Sequence, residues 1–435
     1  MRKDELKNKK VGFISLGCDK NRVDLEKMIF NISNFGMELV NEPSSANIII
    51  VNTCAFLESA RAEAIENILE MAELKSSANL EKLIVTGCIN ELNYQDLAES
   101  LPEVDRFVNI KDNDNIVNII ASLYGLETNY LCLNDRILTN EPHYSYLKIA
   151  EGCNNFCTYC LIPYIRGRFK SEPIEKLVEE AKNLANKGVQ ELILVAQDVT
   201  KYGIDIYGKK SLVSLIRELS KIDDIKWIRL LYCYPEEIDD ELIDEIKNND
   251  KVLKYLDIPL QHVSSKILKS MNRRSDYESI VRLFDKLYKE IPSIAIRTTF
   301  IVGFPGETED DIQIIEKFLR KYRLVNVGFF AYSREEGTNA YKLDNQIEED
   351  IKLERVDKLA QVQYEIVQLK NDSYINTETE IIVDAVYDGY SICRNFRQAP
   401  NIDTVIYVNE KLSVGSFYNI KITNKSDYDL EGEIL

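Results

Sequence analysis

Three short apolar runs punctuate the first third of the chain: VGFISLG (11–17), NIIIVNT (47–53) and EKLIVTG (81–87). Each is rich in β-branched residues and is followed by ten or more residues of helical period, a βαβ rhythm that builds a parallel sheet. From residue 144 six further runs recur: YLKIA (146–150), LILVAQ (192–197), WIRLLY (227–232), YLDIPL (255–260), AIRTTFIVG (295–303) and VNVGFFAY (325–332). Six βα units predict an open or partial barrel with its chemistry at the strands' carboxyl ends. Residues 349–371 read as an amphipathic helix closing that barrel, and the short β-rich runs EIIVDAVY, TVIYV, SFYNIKIT and LEGEIL then predict a small antiparallel barrel. The expected fold is α/β throughout most of its length. A doubly wound parallel-sheet domain spans 1–130, a partial (β/α)6 barrel 131–370 and an antiparallel β-barrel 371–435.

Composition narrows the partners. The 435 residues are 45% apolar, which excludes global disorder, and 54 basic against 72 acidic side chains leave a formal charge of -18. Such a chain repels a phosphate backbone unless a local basic patch overrides the balance, and it suits an electropositive partner. The nine cysteines are odd in number and clustered, so a disulfide framework is not expected and a reducing cytoplasm is. The opening MRKDELKNKKVGFISLGC carries Asp4 and Glu5 where a lipoprotein signal would be basic, and no run of eighteen apolar residues predicts a membrane span.

Those cysteines fall into two groups of three. Cys18, Cys54 and Cys88 each follow one of the three N-terminal strands. One cysteine after a buried strand is ordinarily a small buried hydrophobe. Three in register, on neighbouring strands ~4.8 Å apart, would meet at one sheet edge and could hold a cluster. Cys153, Cys157 and Cys160 lie within EGCNNFCTYC, directly after the first barrel strand. Three thiolates this close imply a metal centre with one position left for something else.

Several residues at the barrel mouth compete for that position. Cys233 follows the third strand, and His143 could complete a closed Cys3His zinc site. His262 reads more naturally as a hydrogen-bonded structural side chain, while Thr308 with Asp311, inside the turn GFPGETEDD, reads equally as a helix cap or as a ligand contact. Cys132 and Cys393 read as buried thiols. The preferred occupant is a substrate: a four-iron, four-sulfur cube on three thiolates leaves one iron able to chelate S-adenosylmethionine. One electron could then cleave the sulfonium bond and release an adenosyl radical.

Cys-x3-Cys-x2-Cys with Tyr159 before its last cysteine resembles the radical S-adenosylmethionine signature, and the three upstream cysteines resemble its methylthiotransferase branch. SLGCDKNRVDLE, NTCAFLESA, LILVAQDVTKYG, LDIPLQHVS, FIVGFPGET and RQAPNID resemble the branch acting on an aspartate of the small-subunit ribosomal protein numbered twelve. Asp19, Arg22 and Ala55 stand where that branch usually has proline, leucine and glycine. The resemblance implies two 4Fe-4S clusters: Cys153, Cys157 and Cys160 for radical generation, and Cys18, Cys54 and Cys88 for an auxiliary cluster that handles sulfur. It implies that one S-adenosylmethionine supplies a methyl group and a second the radical, which removes hydrogen from the aspartate β-carbon. Tyr159, Gln197, Gln261 and Arg297 match positions expected to hold the cofactor. An electron donor and a sulfur donor are implied partners, with no membrane, and with nucleic acid met only through the ribosome.

The C-terminal segment resembles a TRAM domain, a module known for RNA contact, yet residues 371–435 carry eleven acidic and five basic side chains. That balance suits a basic protein better than RNA, or else a solvated acidic face with no partner. A methylthiotransferase acting on tRNA adenosine would need a basic stripe, for which Arg166, Arg168 and Lys170 are the one compact candidate. A non-catalytic iron-sulfur or zinc protein would need closed metal sites.

Overall fold

A computed structural model describes residues 3–92 and 94–435. The chain divides into two compact units, the first comprising residues 1–140, 151–154 and 160–169, and the second the remainder.

In the first unit the strands are β1 (Lys10–Ser15), β2 (Glu38–Leu39), β3 (Ile48–Thr53), β4 (Lys82–Gly87) and β5 (Arg106–Val108). They form one parallel sheet in the order β2-β1-β3-β4-β5. All six residues of β3, IIIVNT, are buried, as expected of a central strand covered on both faces. One side packs Ile49, Val51, Leu83 and Val85 against helix Glu58–Ser77, and the other packs Ile48, Ile50 and Ile84 against helices Asp19–Phe35 and Ile116–Leu123.

The second unit carries β6 (Tyr144–Lys148), β7 (Glu191–Val195), β8 (Trp227–Leu230), β9 (Val252–Asp257), β10 (Ala295–Val302) and β11 (Asn326–Ala331). These six are parallel and paired strictly in sequence, an open partial barrel. Helix Glu349–Asp372 follows, matching the amphipathic run read from sequence. Five further strands close a barrel: β12 (Glu378–Val386), β13 (Ser391–Arg394), β14 (Ile406–Val408), β15 (Phe417–Ser426) and β16 (Asp429–Ile434). Four of its five pairings are antiparallel, but β14 and β16 pair in parallel, because direction cannot alternate all the way round a closed ring of five strands.

A buried polar network ties this small barrel to the six-stranded sheet. Arg394 reaches Glu191 at 2.9 Å and Asp384 at 2.5 Å, Arg229 reaches Glu191 at 2.7 Å, and His143 Nε2 meets Asp384 at 2.8 Å. Fully buried charges are tolerable only when paired in this way. The RQAPNID turn adds Asp403 accepting from the Tyr255 hydroxyl at 2.7 Å and Asn401 donating to that of Tyr144 at 3.0 Å. Because Tyr144 and Glu191 begin their strands, the network lies toward the strands' amino ends.

Candidate iron-sulfur and cofactor site

Strands β1, β3 and β4 are neighbours, so Cys18, Cys54 and Cys88 emerge side by side along one edge of the first unit's sheet. That edge holds the point where strand order reverses, the usual ligand crevice of doubly wound sheets. Cys18 is exposed, Cys54 half-buried and Cys88 buried. Gly87 precedes Cys88 at φ +95°, and a Cβ there would stand 2.6 Å from the Thr53 backbone nitrogen, so only glycine lets the two strand ends approach.

Asn21 lies among these thiols. Its Nδ2 donates to Thr53 O at 2.8 Å and Leu16 O at 3.2 Å, while its Oδ1 lies 3.9 Å from the sulfurs of both Cys18 and Cys88. Arg166 enters the same space. Its Nη2 donates to Asn21 Oδ1 and stands 3.5 Å from Cys88 Sγ, and its Nη1 binds Asp24 at 3.1 Å and Glu151 at 3.0 Å.

Burial pushes the Cys54 thiol up, and it lifts Cys88 to about 11 against the pull of Arg166. The free thiols therefore carry protons that a metal must displace. Among the described residues no three His, Cys, Asp or Glu side chains gather closely enough to hold a single ion. A lone zinc needs its ligands within about 2.3 Å of one point. Cys18, Cys54 and Cys88 lie close enough to act on one another's charge, and the Arg166 guanidinium offsets it, so the residues present fit an iron-sulfur cluster.

The second cysteine group lies in the segment after β6. Cys153 and Cys160 belong to the first unit and Cys157 to the second. Gly152 adopts φ +74°, where a Cβ would meet Gly167 O at 2.6 Å, and Cys153 N–H donates to that same carbonyl at 3.1 Å. Cys160 Sγ accepts the Ile162 N–H at 3.4 Å, and Leu161 and Ile165 sink into the first unit's core.

In the second unit Cys157 is buried, and Thr158 is fixed by Met271 O at 3.1 Å and Ser270 O at 2.9 Å. Asn272 Nδ2 clamps the carbonyls of Asn155 and Phe156, the latter residue at φ +50°. Tyr159 packs on Ile267, Met271, Phe304, Tyr332 and Ala340.

Around the mouth of the six strands, Gln197 follows β7 and is half-buried beside Asp198, whose carboxyl burial pushes up despite bonds from Thr200 and Asn155. Gln261, at φ +67°, forms a bridge to Phe300, and its Nε2 donates to Thr299 Oγ1 at 3.2 Å. Arg297, three residues into β10 and so short of the mouth, stands 3.8 Å from Asp257 and 3.6 Å from Asp403.

Both histidines are occupied elsewhere. His143 is bound to Asp384, and His262 Nδ1 accepts the N–H groups of Val263 and Ser264 at 2.9 and 2.8 Å with its Nε2 facing Glu307 at 3.4 Å. Cys233 is fully buried, and burial, Asp257 and Asp198 raise its thiol. Asp311 caps its helix by accepting the Thr308 N–H at 2.8 Å and hydroxyl at 2.7 Å, as the sequence suggested.

Two expectations need correcting. Arg166 is buried and paired with two carboxylates, so it is no member of a basic surface stripe. Cys132 is exposed rather than buried, because the segment around it is held through its backbone, Leu133 N–H to Asn31 Oδ1 at 2.8 Å, and its side chains turn outward. Cys393 is buried as expected.

Sequence reasoning missed Asn21 and misread Arg166. One usable signal was present, a glycine immediately before Cys18, Cys88 and Cys153.

A parallel six-stranded sheet with Cys-x3-Cys-x2-Cys after its first strand defines a radical S-adenosylmethionine protein, and the Radical SAM superfamily model matches residues 147–319. The uncharacterized protein family UPF0004 matches residues 10–109 and the TRAM domain 375–435. The chain belongs to the family of ribosomal protein uS12 methylthiotransferases. Relatives bearing the name ribosomal protein uS12 methylthiotransferase RimO are 49% identical in Acetivibrio thermocellus and 46% in Clostridium kluyveri, each comparison covering 98% of both chains. Among solved structures, the radical S-adenosylmethionine methyltransferase TsrM from Kitasatospora setae superposes with a TM-score of 0.55 at 14% identity. That match covers 74% of this chain and 73% of that one, and it bears on the fold alone. An iron-sulfur cluster and S-adenosylmethionine are the cofactors of this class.

Among the described residues no helix is long and apolar enough to cross a membrane.

Proposed function

We propose that the chain transfers a methylthio group to the β-carbon of an aspartate in ribosomal protein uS12. The observation that carries this reading is its full-length relationship to enzymes named for that substrate. An aspartate β-carbon is unactivated, so acid-base groups working near neutral pH cannot readily take its hydrogen, whereas a radical can.

In this reading Cys153, Cys157 and Cys160 hold one 4Fe-4S cluster and Cys18, Cys54 and Cys88 a second. When bound, these groups with S-adenosylmethionine supply the electron, the radical, the methyl group and the sulfur. The chain's own residues hold and shield. Asn21 ties the ends of β1 and β3 together, and Arg166 places a positive charge beside Cys88. Tyr159, Gln197, Gln261 and Arg297 are the cofactor-holding residues, and Asp257 and Asp403 fix the height of the Arg297 guanidinium in the barrel. An external electron donor and a sulfur donor complete the reaction.

Action on tRNA adenosine is the competing reading, and burial of Arg166 removes its best basic contact. The test supplies the anaerobically reconstituted protein, reductant, sulfide and S-adenosylmethionine with uS12, with a peptide spanning its target loop, or with unmodified tRNA. A mass gain of one methylthio group on an aspartate is the expected result. Modified tRNA beside untouched uS12 would overturn the proposal.

A further inference from the structure

Away from the cysteines, within the second unit, the C-terminal end of helix Glu349–Asp372, the small barrel and the start of β11 enclose a cleft of about 220 Å³. Its lining includes Arg323, Lys370 and Arg397 together with Tyr288, Tyr374 and Thr404, and contains no aspartate or glutamate. In a chain with 72 acidic and 54 basic side chains, a concavity with three cations and no acid is against the composition.

The cations are arranged rather than scattered. The Arg397 guanidinium lies 3.9 Å from the centre of the Tyr374 ring, and Lys370 Nζ lies 5.5 Å from the same centre. Arg397 Nη1 is fully buried and has no hydrogen-bond partner. Leaving a buried charged donor unmade costs free energy that folding would ordinarily avoid. Two cations on one ring also repel each other: burial and the nearby Arg397 and Arg323 hold the Lys370 ammonium below its ordinary range. The aromatic face offsets part of this, because its quadrupole attracts both. It cannot supply the missing acceptor.

We infer that this cleft is an anion site that takes a phosphate group through Arg397 and Lys370. The planar guanidinium offers a two-pronged donor to a tetrahedral oxyanion, the ammonium adds a point charge, and Arg323 supplies a third charge at the rim. Three positive charges match a dianion better than a single carboxylate. The volume admits phosphate with a small substituent, and the Tyr288 and Tyr374 rings give that substituent an apolar wall. This site is independent of the cysteine chemistry and does not rest on the substrate proposed above. The phosphate could belong to a free small molecule or to an RNA backbone, and the experiment separates these sources.

Inorganic phosphate is titrated calorimetrically into the full chain at constant ionic strength, with chloride as the control. An unphosphorylated RNA oligonucleotide is titrated in parallel, with and without saturating phosphate. The inference expects saturable binding of one phosphate per chain, weakened at least tenfold in Arg397→Gln and in Lys370→Gln. Lys370→Gln lies at a half-buried helix end, so it remains informative if Arg397→Gln fails to fold. RNA binding that phosphate competes away assigns the source to a backbone, and RNA binding indifferent to phosphate assigns it to a small molecule. No saturable phosphate binding, or binding unchanged in a folded Lys370→Gln variant, would overturn the site.

Discussion

The two groups of three cysteines reach similar ends by different routes. Cys153, Cys157 and Cys160 sit within eight positions of one loop, whereas Cys18, Cys54 and Cys88 lie 36 and 34 residues apart and meet only because β1, β3 and β4 are neighbours. A loop motif survives most changes elsewhere in the chain. A site made by topology depends on every strand pairing beneath it, here Thr53 with Gly87 and Ser15 with Asn52. What the sequence displays compactly and what the fold assembles are thus different kinds of information, and substitutions can separate them.

The largest effect comes from removing either group. Replacing Cys153, Cys157 and Cys160 together by alanine is expected to abolish cleavage of S-adenosylmethionine and to leave about four of about eight irons after anaerobic reconstitution. Replacing Cys18, Cys54 and Cys88 is expected to leave a similar iron count while cleavage persists and methylthio transfer stops. Iron and sulfide analysis with product chromatography reads both. Full iron retention in either triple variant would sink the division into two sites.

Next is the residue that crosses from one kind of information to the other. Arg166 follows the compact loop in sequence yet lies against Cys88 of the assembled group. Arg166→Met leaves Asp24 and Glu151 without their buried countercharge, and a loss of about 3–5 kcal/mol in chemical denaturation is expected. The exposed neighbour Arg168→Met should change stability by less than about 0.5 kcal/mol. Equal effects at the two positions would refute the buried network.

This contrast also measures how much could be read beforehand. Strand runs such as IIIVNT announce themselves, because β-branched apolar residues between turns admit few other folds, and both cysteine groups were visible from spacing. Asn21 was not, since an asparagine in the first turn of a helix reads as a local cap, and only the pairing of β1 with β3 brings its amide to Thr53 O. Arg166 was misread for the same reason: its charge is visible in sequence, but its two carboxylate partners lie 142 and 15 residues away. The parallel pairing of β14 with β16 was equally hidden, because strand direction within a closed barrel is a property of the whole path.

The Asp384 network sharpens the comparison at lower energy, since it too is built by topology. Burial raises the Asp384 carboxyl, but Arg394 and the His143 hydrogen bond outweigh that and hold it below the ordinary carboxylate range. A depressed folded value means that the stabilisation is fully present above the unfolded value of about pH 4 and disappears as pH falls through the folded one. Asp384→Asn should therefore cost about 2 kcal/mol at pH 7. The gap between wild type and variant should stay flat down to about pH 4 and close only below it. A gap that closed between pH 7 and 5 would contradict a depressed Asp384 carboxyl.

The smallest effect tests a feature written locally. Thr308 and Asp311 are three residues apart and legible as a helix start, and Asp311 accepts both the backbone N–H and the hydroxyl of Thr308. Thr308→Ala removes only the hydroxyl bond, so a loss of about 1 kcal/mol is expected. Asp311 has a second set of contacts that its sequence position did not reveal: it also takes the Ser264 hydroxyl at 2.5 Å and faces Lys266 at 3.4 Å, across 47 and 45 residues. Asp311→Ala should accordingly cost more than Thr308→Ala, and restoring a short acceptor with Asp311→Asn should recover part of the difference. If the two alanine variants denature at the same midpoint, the tertiary contacts of Asp311 contribute nothing, and this helix start is as local as its sequence makes it look.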